Sequence, residues 1–218
     1  MIKKNKLILI ITSLIILAPI LFGHAVWDEL PDIIATHWGV DNQPDGFSSK
    51  AMVVYGMPLI MLAIHWFCVI AMELDVKKRN HTSVVRNMVL FIAPLTAIFA
   101  MTFIYAGALG LKLDVSLWAM LFFGLLFIVI GNYMPKCRQN WTMGIRNRWT
   151  LSDSENWNQT HRVAGAIWML GGFLILICSF FSDISLVPYF FVVIVLVMVL
   201  VPNVYSYMYY RKHNVESE

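Results

Sequence analysis

The chain has 218 residues, of which 59% are apolar and only 13% charged, and its mean hydropathy is +0.70. Soluble domains carry about 25% charged residues, so this composition excludes a soluble globular protein and points to an integral membrane protein. The net charge of +3 is small, and its meaning lies in where the charges fall.

A transmembrane helix needs about 20 apolar residues to cross about 30 Å of hydrocarbon. In chain order the qualifying runs are Leu7–Trp27, Met52–Met72, Met88–Leu111, Val115–Met134, Val163–Phe181 and Leu186–Tyr207. The sequence therefore predicts an all-α, polytopic bundle of six transmembrane helices. The first run follows Lys3, Lys4 and Lys6 as a signal peptide would. It is long, however, contains Pro19, and continues into GHAVWDE rather than a small-x-small cleavage site, so it reads as a retained span.

The connection DELPDIIATHWGVDNQPDGFSSK (28–50) sets five carboxylates against one lysine, and its Gln43-Pro44-Asp45-Gly46 run is a turn signal. The next connection, ELDVKKRNHTSVVRN (73–87), is basic and is expected at the anionic headgroup surface. Those at 112–114 and 182–185 are short hairpins. The longest, 135–162, holds most of the remaining polar residues. Pro58, Pro94 and Pro202 are expected to kink their spans or to open a cavity at membrane depth. A division near residue 112 gives an N-terminal three-helix part (1–111), with the acidic segment 28–50, and a second half (112–218) with the loop 135–162.

Fourteen of the sixteen Lys and Arg residues lie at the termini or in the even-numbered connections, and only Lys50 and Lys112 lie on the other side. By the positive-inside rule both termini are expected in the cytoplasm, with 28–50 extracellular and 135–162 cytoplasmic.

Within GIRNRWTLSDSENWNQTHRVAG (144–165), Ser152-Asp153-Ser154-Glu155 fits a capping box at a helix start. A helix from there runs without a breaker into the fifth span. Trp157, His161, Gly165, Trp168 and Gly172 then share one face, whose glycines permit close packing. Trp141, Trp149 and Trp157 suit an aromatic belt, and Arg138, Arg146, Arg148 and Arg162 suit anionic lipid. The alternative is a docking surface for a soluble partner, since Arg forks and Trp faces serve interfaces well.

Chemical motifs are lacking. No H-E-x-x-H, G-x-S-x-G or glycine-rich phosphate loop occurs, Glu155 and His161 are not at zinc-pair spacing, and Cys68, Cys137 and Cys178 lie in no metal or redox pattern. No metal, cofactor, catalytic residue or direct nucleic-acid binding is expected. His65 and Asn132 are the notable polar groups at membrane depth. With no carboxylate near a span centre, proton-coupled transport has little support.

GNYMPKCRQNWTMGIRNRWTLSDSENWNQTHRVAG (131–165) resembles the core motif of the SdpI family of bacterial membrane proteins. LPDIIATHWGVDNQPDGFSSK (30–50) resembles the small domain of unknown function that precedes that core. The matching positions are Gly131, Asn132, Pro135, Asn140, Gly144, Ile145, Arg146, Trp149, Thr150, Leu151, Glu155, Trp157, Thr160, His161 and Arg162, with Pro31, Asp32, His37 and Gly46 in the outer segment. The family pattern often has proline where Arg148 and Ala35 stand in this chain.

The resemblance implies an immunity protein of the bacterial plasma membrane, protecting its cell from a secreted peptide toxin. It also implies a signal transducer that holds a cytoplasmic winged-helix repressor at the membrane. A toxin would first meet the outer segment, where Asp41 and Asp45 join the residues above. Arg146 and Arg162 would then pair with a partner or with membrane lipid, Trp149 and Trp157 would offer contact area, and Glu155 would orient the helix. A transporter or lipid-handling protein without a dedicated toxin is the competing expectation, and a membrane enzyme a distant third.

Overall fold

A computed structural model describes residues 2, 5–39, 41–181 and 186–214. Lys3, Lys4 and the expected hairpin 182–185 lie outside the described residues. Seven helices and one β-hairpin follow in chain order: α1 (Lys6–Ala25), β1 (Ile33–Trp38), β2 (Pro44–Ser49), α2 (Met57–Leu74), α3 (Ser83–Ala108), α4 (Val115–Tyr133), α5 (Arg148–Ser152), α6 (Ser154–Phe181) and α7 (Val187–Asn214). Among the described residues six helices are long and apolar enough to cross a membrane, α5 being the short exception. The chain is a multi-pass, all-α membrane protein with one small hairpin added.

The chain divides into two compact units, one of residues 1–74 and 86–116, the other of 75–85 and 117–218. In the first, α1 and α2 pack together. Thr12 and His65, both fully buried, meet at 3.1 Å between Thr12 Oγ1 and His65 Nε2, and Trp66 Nε1 donates to Ser13 Oγ at 3.1 Å. His65 is thus an interhelical hydrogen-bonding residue. A π-turn at Met52–Gly56 leads into α2, with the Met57 amide reaching back to Met52 O. Pro58, which follows, has no amide to give Val54, and the wider turn accommodates that loss.

The hairpin corrects the expected turn. The chain has reversed by Gln43, whose carbonyl accepts from the Gly39 amide at 2.8 Å, and Asn42 takes a left-handed φ of 59°. Asparagine tolerates that region better than most residues. Pro44 opens β2, paired with Trp38, and Gly46 lies in the strand opposite His37. Ile34 turns inward onto Leu30, Val53, Val54, Met101, Ile104 and Tyr105.

In the second unit α6 and α7 share the most extensive contact. The α4 and α6 backbones approach at facing glycines: a Cβ on Gly131 would meet Gly165 O at 2.8 Å, and one on Gly172 would meet Gly124 O at 2.6 Å. Trp168 Nε1 donates to Met198 O at 3.0 Å, joining α6 to α7.

Candidate functional site

The connection between α4 and α6 is a folded loop held by side chains, and its organisation begins with asparagines. Asn147 caps α5, its side chain accepting from the Trp149 and Thr150 amides while Thr150 Oγ1 accepts from the Asn147 amide. The capping box therefore lies at 147–150 and not at 152–155. Ser152 Oγ donates to Trp149 O instead, and Asp153 Oδ1 accepts from the Glu155 amide at 2.8 Å to start α6. Glu155 Oε1 accepts from Gln159 one turn on.

Behind that cap lies a buried polar network. Asn156 Nδ2 donates to Ser206 O at 2.9 Å, and Asn156 Oδ1 accepts from both Thr160 Oγ1 and Ser206 Oγ at 3.0 Å. Asn147 Nδ2 continues it to Asn203 Oδ1 at 3.1 Å. Asn156, Thr160 and Ser206 are fully buried. A buried polar group without a partner costs about 1–3 kcal/mol, so this network gives α5, α6 and α7 a defined register.

A second cluster centres on Trp157, whose Nε1 donates to Cys137 O at 2.7 Å and whose ring stacks on His161 with centroids 4.1 Å apart. His161 Nδ1 donates to Trp157 O at 2.8 Å, while Nε2 accepts from the Ile145 amide at 3.1 Å. These partners select the neutral Nδ1–H tautomer. Gly144, at φ +100°, runs over this pair, and a Cβ there would collide with His161 Nε2. The sequence expectation that Trp157 offers contact area is overturned, because its exposure is 0%. Burial also pushes the Cys137 thiol up to about 11, against a smaller opposing effect of Asn140, so it stays protonated.

The third cluster involves residues that sequence reasoning passed over. Asp75 is 6% exposed, and its Oδ2 accepts from Thr142 Oγ1 and from the Trp141 amide at 2.9 Å, with His81 Nε2 at 3.0 Å. Its Oδ1 accepts from the Lys77 amide at 2.7 Å. Burial alone would raise the Asp75 carboxyl, but these hydrogen bonds, led by Thr142, outweigh it and hold the group below its ordinary value. Gln139 extends the attachment, accepting from Lys77 Nζ and donating to Thr150 O at 2.8 Å and Leu151 O at 3.0 Å. Part of the basic 73–87 segment is thus folded into the loop rather than spread along a headgroup surface. Asn140, 1% exposed, closes the turn by accepting from the Thr142 and Met143 amides.

Arg138, Arg146, Arg148, Arg162, Trp141 and Glu155 are among the residues that remain exposed. Arg146 Nη1 donates to Trp141 O, Trp149 packs on Tyr207 with centroids 5.0 Å apart, and the Arg148 guanidinium lies 5.0 Å over the Trp149 ring. Asn132, on α4, is exposed.

The hairpin places the other candidate residues. Pro31, Asp32, His37, Asp41 and Asp45 are exposed and Gly46 is half-buried. His37 Nδ1 and Asp45 Oδ1 are 2.5 Å apart, and Lys50 lies 3.4 Å from Asp32. Asn42 fixes the tip, donating to Leu113 O at 3.4 Å and accepting from the Ser116 amide at 3.2 Å. Among the described residues no group of three or more His, Cys, Asp or Glu is placed to hold a metal ion.

Comparison with known proteins follows this division. Residues 136–206 match the SdpI/YfhL protein family, and residues 14–62 match a domain of unknown function, DUF1648. Residues 136–206 are therefore similar to the SdpI/YfhL family. The chain is 27% identical over 213 residues to the Immunity protein SdpI of Bacillus subtilis (strain 168), covering 97% of this chain and 98% of that protein. No solved structure matches. The SdpI-family region holds the Asn147–Asn156–Ser206 network and the Trp157–His161 stack, and the DUF1648 region holds the hairpin. Asp75, Lys77, Asn80 and His81 fall between the two matched regions, although Asp75 bonds directly to the SdpI-family loop.

Proposed function

We propose that this chain is an immunity protein of the bacterial plasma membrane that protects its cell against a secreted peptide toxin, with both termini in the cytoplasm. The observation that carries the reading is the nearly end-to-end similarity to the Immunity protein SdpI. The charge pattern supports the orientation: fourteen of sixteen Lys and Arg fall on one side. In that orientation the hairpin faces a toxin arriving from outside, and the SdpI-family loop faces the cytoplasm.

The same reading extends to signalling, in which the exposed arginines of the loop hold a cytoplasmic winged-helix repressor. Arg146 and Arg162 supply guanidinium forks to partner carboxylates, and contact area comes from Trp141 and Trp149 in place of the buried Trp157. The test of immunity is a killing assay in a toxin-sensitive strain lacking its own immunity gene. Protection on expressing the chain is expected, and killing with the protein present in the membrane overturns it. For signalling, Arg146→Ala and Trp149→Ala should abolish repressor recruitment, and intact recruitment at normal membrane levels removes that assignment.

One observation favours lipid handling as a second reading. A mostly apolar cavity of about 430 Å³ lies among Ala18, Phe22, Met101, Thr102, Tyr105 and Leu109. Bound lipid co-purifying with the chain, and lost on Ala18→Trp, would support it.

A further inference from the structure

We propose that the outward face and open edge of the β1–β2 hairpin form a docking surface for an extended, cationic peptide segment. The proposal deepens the immunity reading and rests on it for the hairpin's presentation to the outside. Side chains alternate along a strand, so a hairpin has two faces, and those of β1–β2 differ sharply. Ile34 is 1% exposed and seals the inner face. On the outer face Ile33 and Phe47 keep 62% and 59% of their surface, with Ser49 paired across from Ile33 and Ala35 across from Phe47. Covering these two side chains would stabilise a complex by about 25 cal/mol for each Å² of apolar surface removed from water.

The edge adds backbone recognition. Among the described residues the sheet has two strands, so each strand presents one row of amides and carbonyls to which another extended chain can pair. Charge then selects the occupant. Asp28, Glu29, Asp32, Asp41 and Asp45 are all exposed. Lys50, the one lysine of this segment, is folded inward: its side chain is 13% exposed, its Nζ donates to Trp27 O at 3.2 Å, and it lies 5.1 Å over the Trp27 ring. Asp32 beside it keeps 98% of its side chain exposed. The surface field is therefore negative, five carboxylates against one lysine, which lies 3.4 Å from Asp32 and offsets that carboxylate.

A strand alternating basic and apolar residues matches this face, with the apolar residues on Ile33 and Phe47 and the basic ones toward Asp32 and Asp45. Anionic lipid would be repelled by the same carboxylates, which distinguishes a peptide from the bilayer as the occupant.

The test uses the full chain in phosphatidylcholine nanodiscs, with empty discs as the blank. The probe is a peptide of about ten residues alternating Lys and Val, compared with a Glu/Val counterpart and an alternately N-methylated Lys/Val version. Binding of the Lys/Val probe above the blank is expected, with none for Glu/Val. N-methylation, the Ile33→Ser/Phe47→Ser pair and the Asp32→Asn/Asp45→Asn pair should each weaken it about tenfold or more, all four positions being exposed enough to leave folding intact. Binding indifferent to N-methylation or to both pairs, or equal binding of Glu/Val, overturns the proposal. So does quenching of Phe47→Trp emission by brominated acyl chains, which would place this face in the bilayer. Protection from killing without probe binding would remove the docking surface alone, and probe binding without protection would remove the immunity reading alone.

Discussion

The two polar connections, 28–50 and 135–162, carry opposite charge and are built in opposite ways. The hairpin seals an apolar face, centred on Ile34, and leaves its carboxylates in the open. The loop turns its polar side chains inward: Asn140, Thr150, Asn156, Thr160 and His161 are all buried and hydrogen-bonded. Polarity in the first is available to a ligand, whereas in the second these uncharged polar side chains and His161 are consumed by the fold and the arginines stay outside. A run of polar residues in a membrane protein is therefore evidence of a surface only where its partners are missing.

The largest effects are expected where the loop's inward groups are removed. Trp157→Ala deletes a wholly buried ring and its bond to Cys137 O, and should cost about 3–5 kcal/mol in denaturant unfolding in detergent. Wild-type stability in that variant would break the contrast. Asn156→Ala removes the acceptor of the Thr160 hydroxyl and the donor to Ser206 O and should cost about 1–3 kcal/mol by the same measurement. Gly144→Ala forces a side chain into φ +100° and onto His161, for a loss of about 1–3 kcal/mol.

Asp75 sharpens the contrast through pH. Its carboxyl is lowered in the folded state, so its stabilising contribution is fully present above the ordinary value of 3.8 and is lost as pH falls through the lower folded value. Protection of the Trp141 amide, taken relative to its intrinsic exchange rate at each pH, should therefore fall on acidification below about pH 4 in the wild type. In Asp75→Asn that protection should be low already at neutral pH and nearly flat across the range. At the other extreme, Asp41→Asn alters an exposed side chain of the hairpin and should shift stability by no more than about 0.5 kcal/mol.

The six spans were legible because bilayer thickness imposes a length and a hydropathy that sequence displays directly. The hairpin was not, although Ile33, Ile34 and Thr36 are β-branched. The proline–glycine run at 43–46 drew the turn four residues too late, and the segment is too short for alternation to stand out. The loop's matching residues could be named, but not their direction. Trp157 and Trp149 read identically in sequence, and only the fold separates an indole bonded to Cys137 O from one packed on Tyr207. Asp75 was hidden by its neighbours Lys77, Lys78 and Arg79, which give the segment the look of a solvated basic run. Its partners at 141 and 142 lie more than sixty residues away, beyond any local pattern.

The most direct test of the contrast is residue-resolved amide hydrogen exchange on the full chain in lipid nanodiscs. The amides of Trp141, Met143 and Ile145, each donating to a side chain of the loop network, should be protected as strongly as the ends of the adjoining helices. Exchange at these three amides at the rate of an unstructured peptide would show that the loop is an open surface, and the contrast between the two connections would collapse.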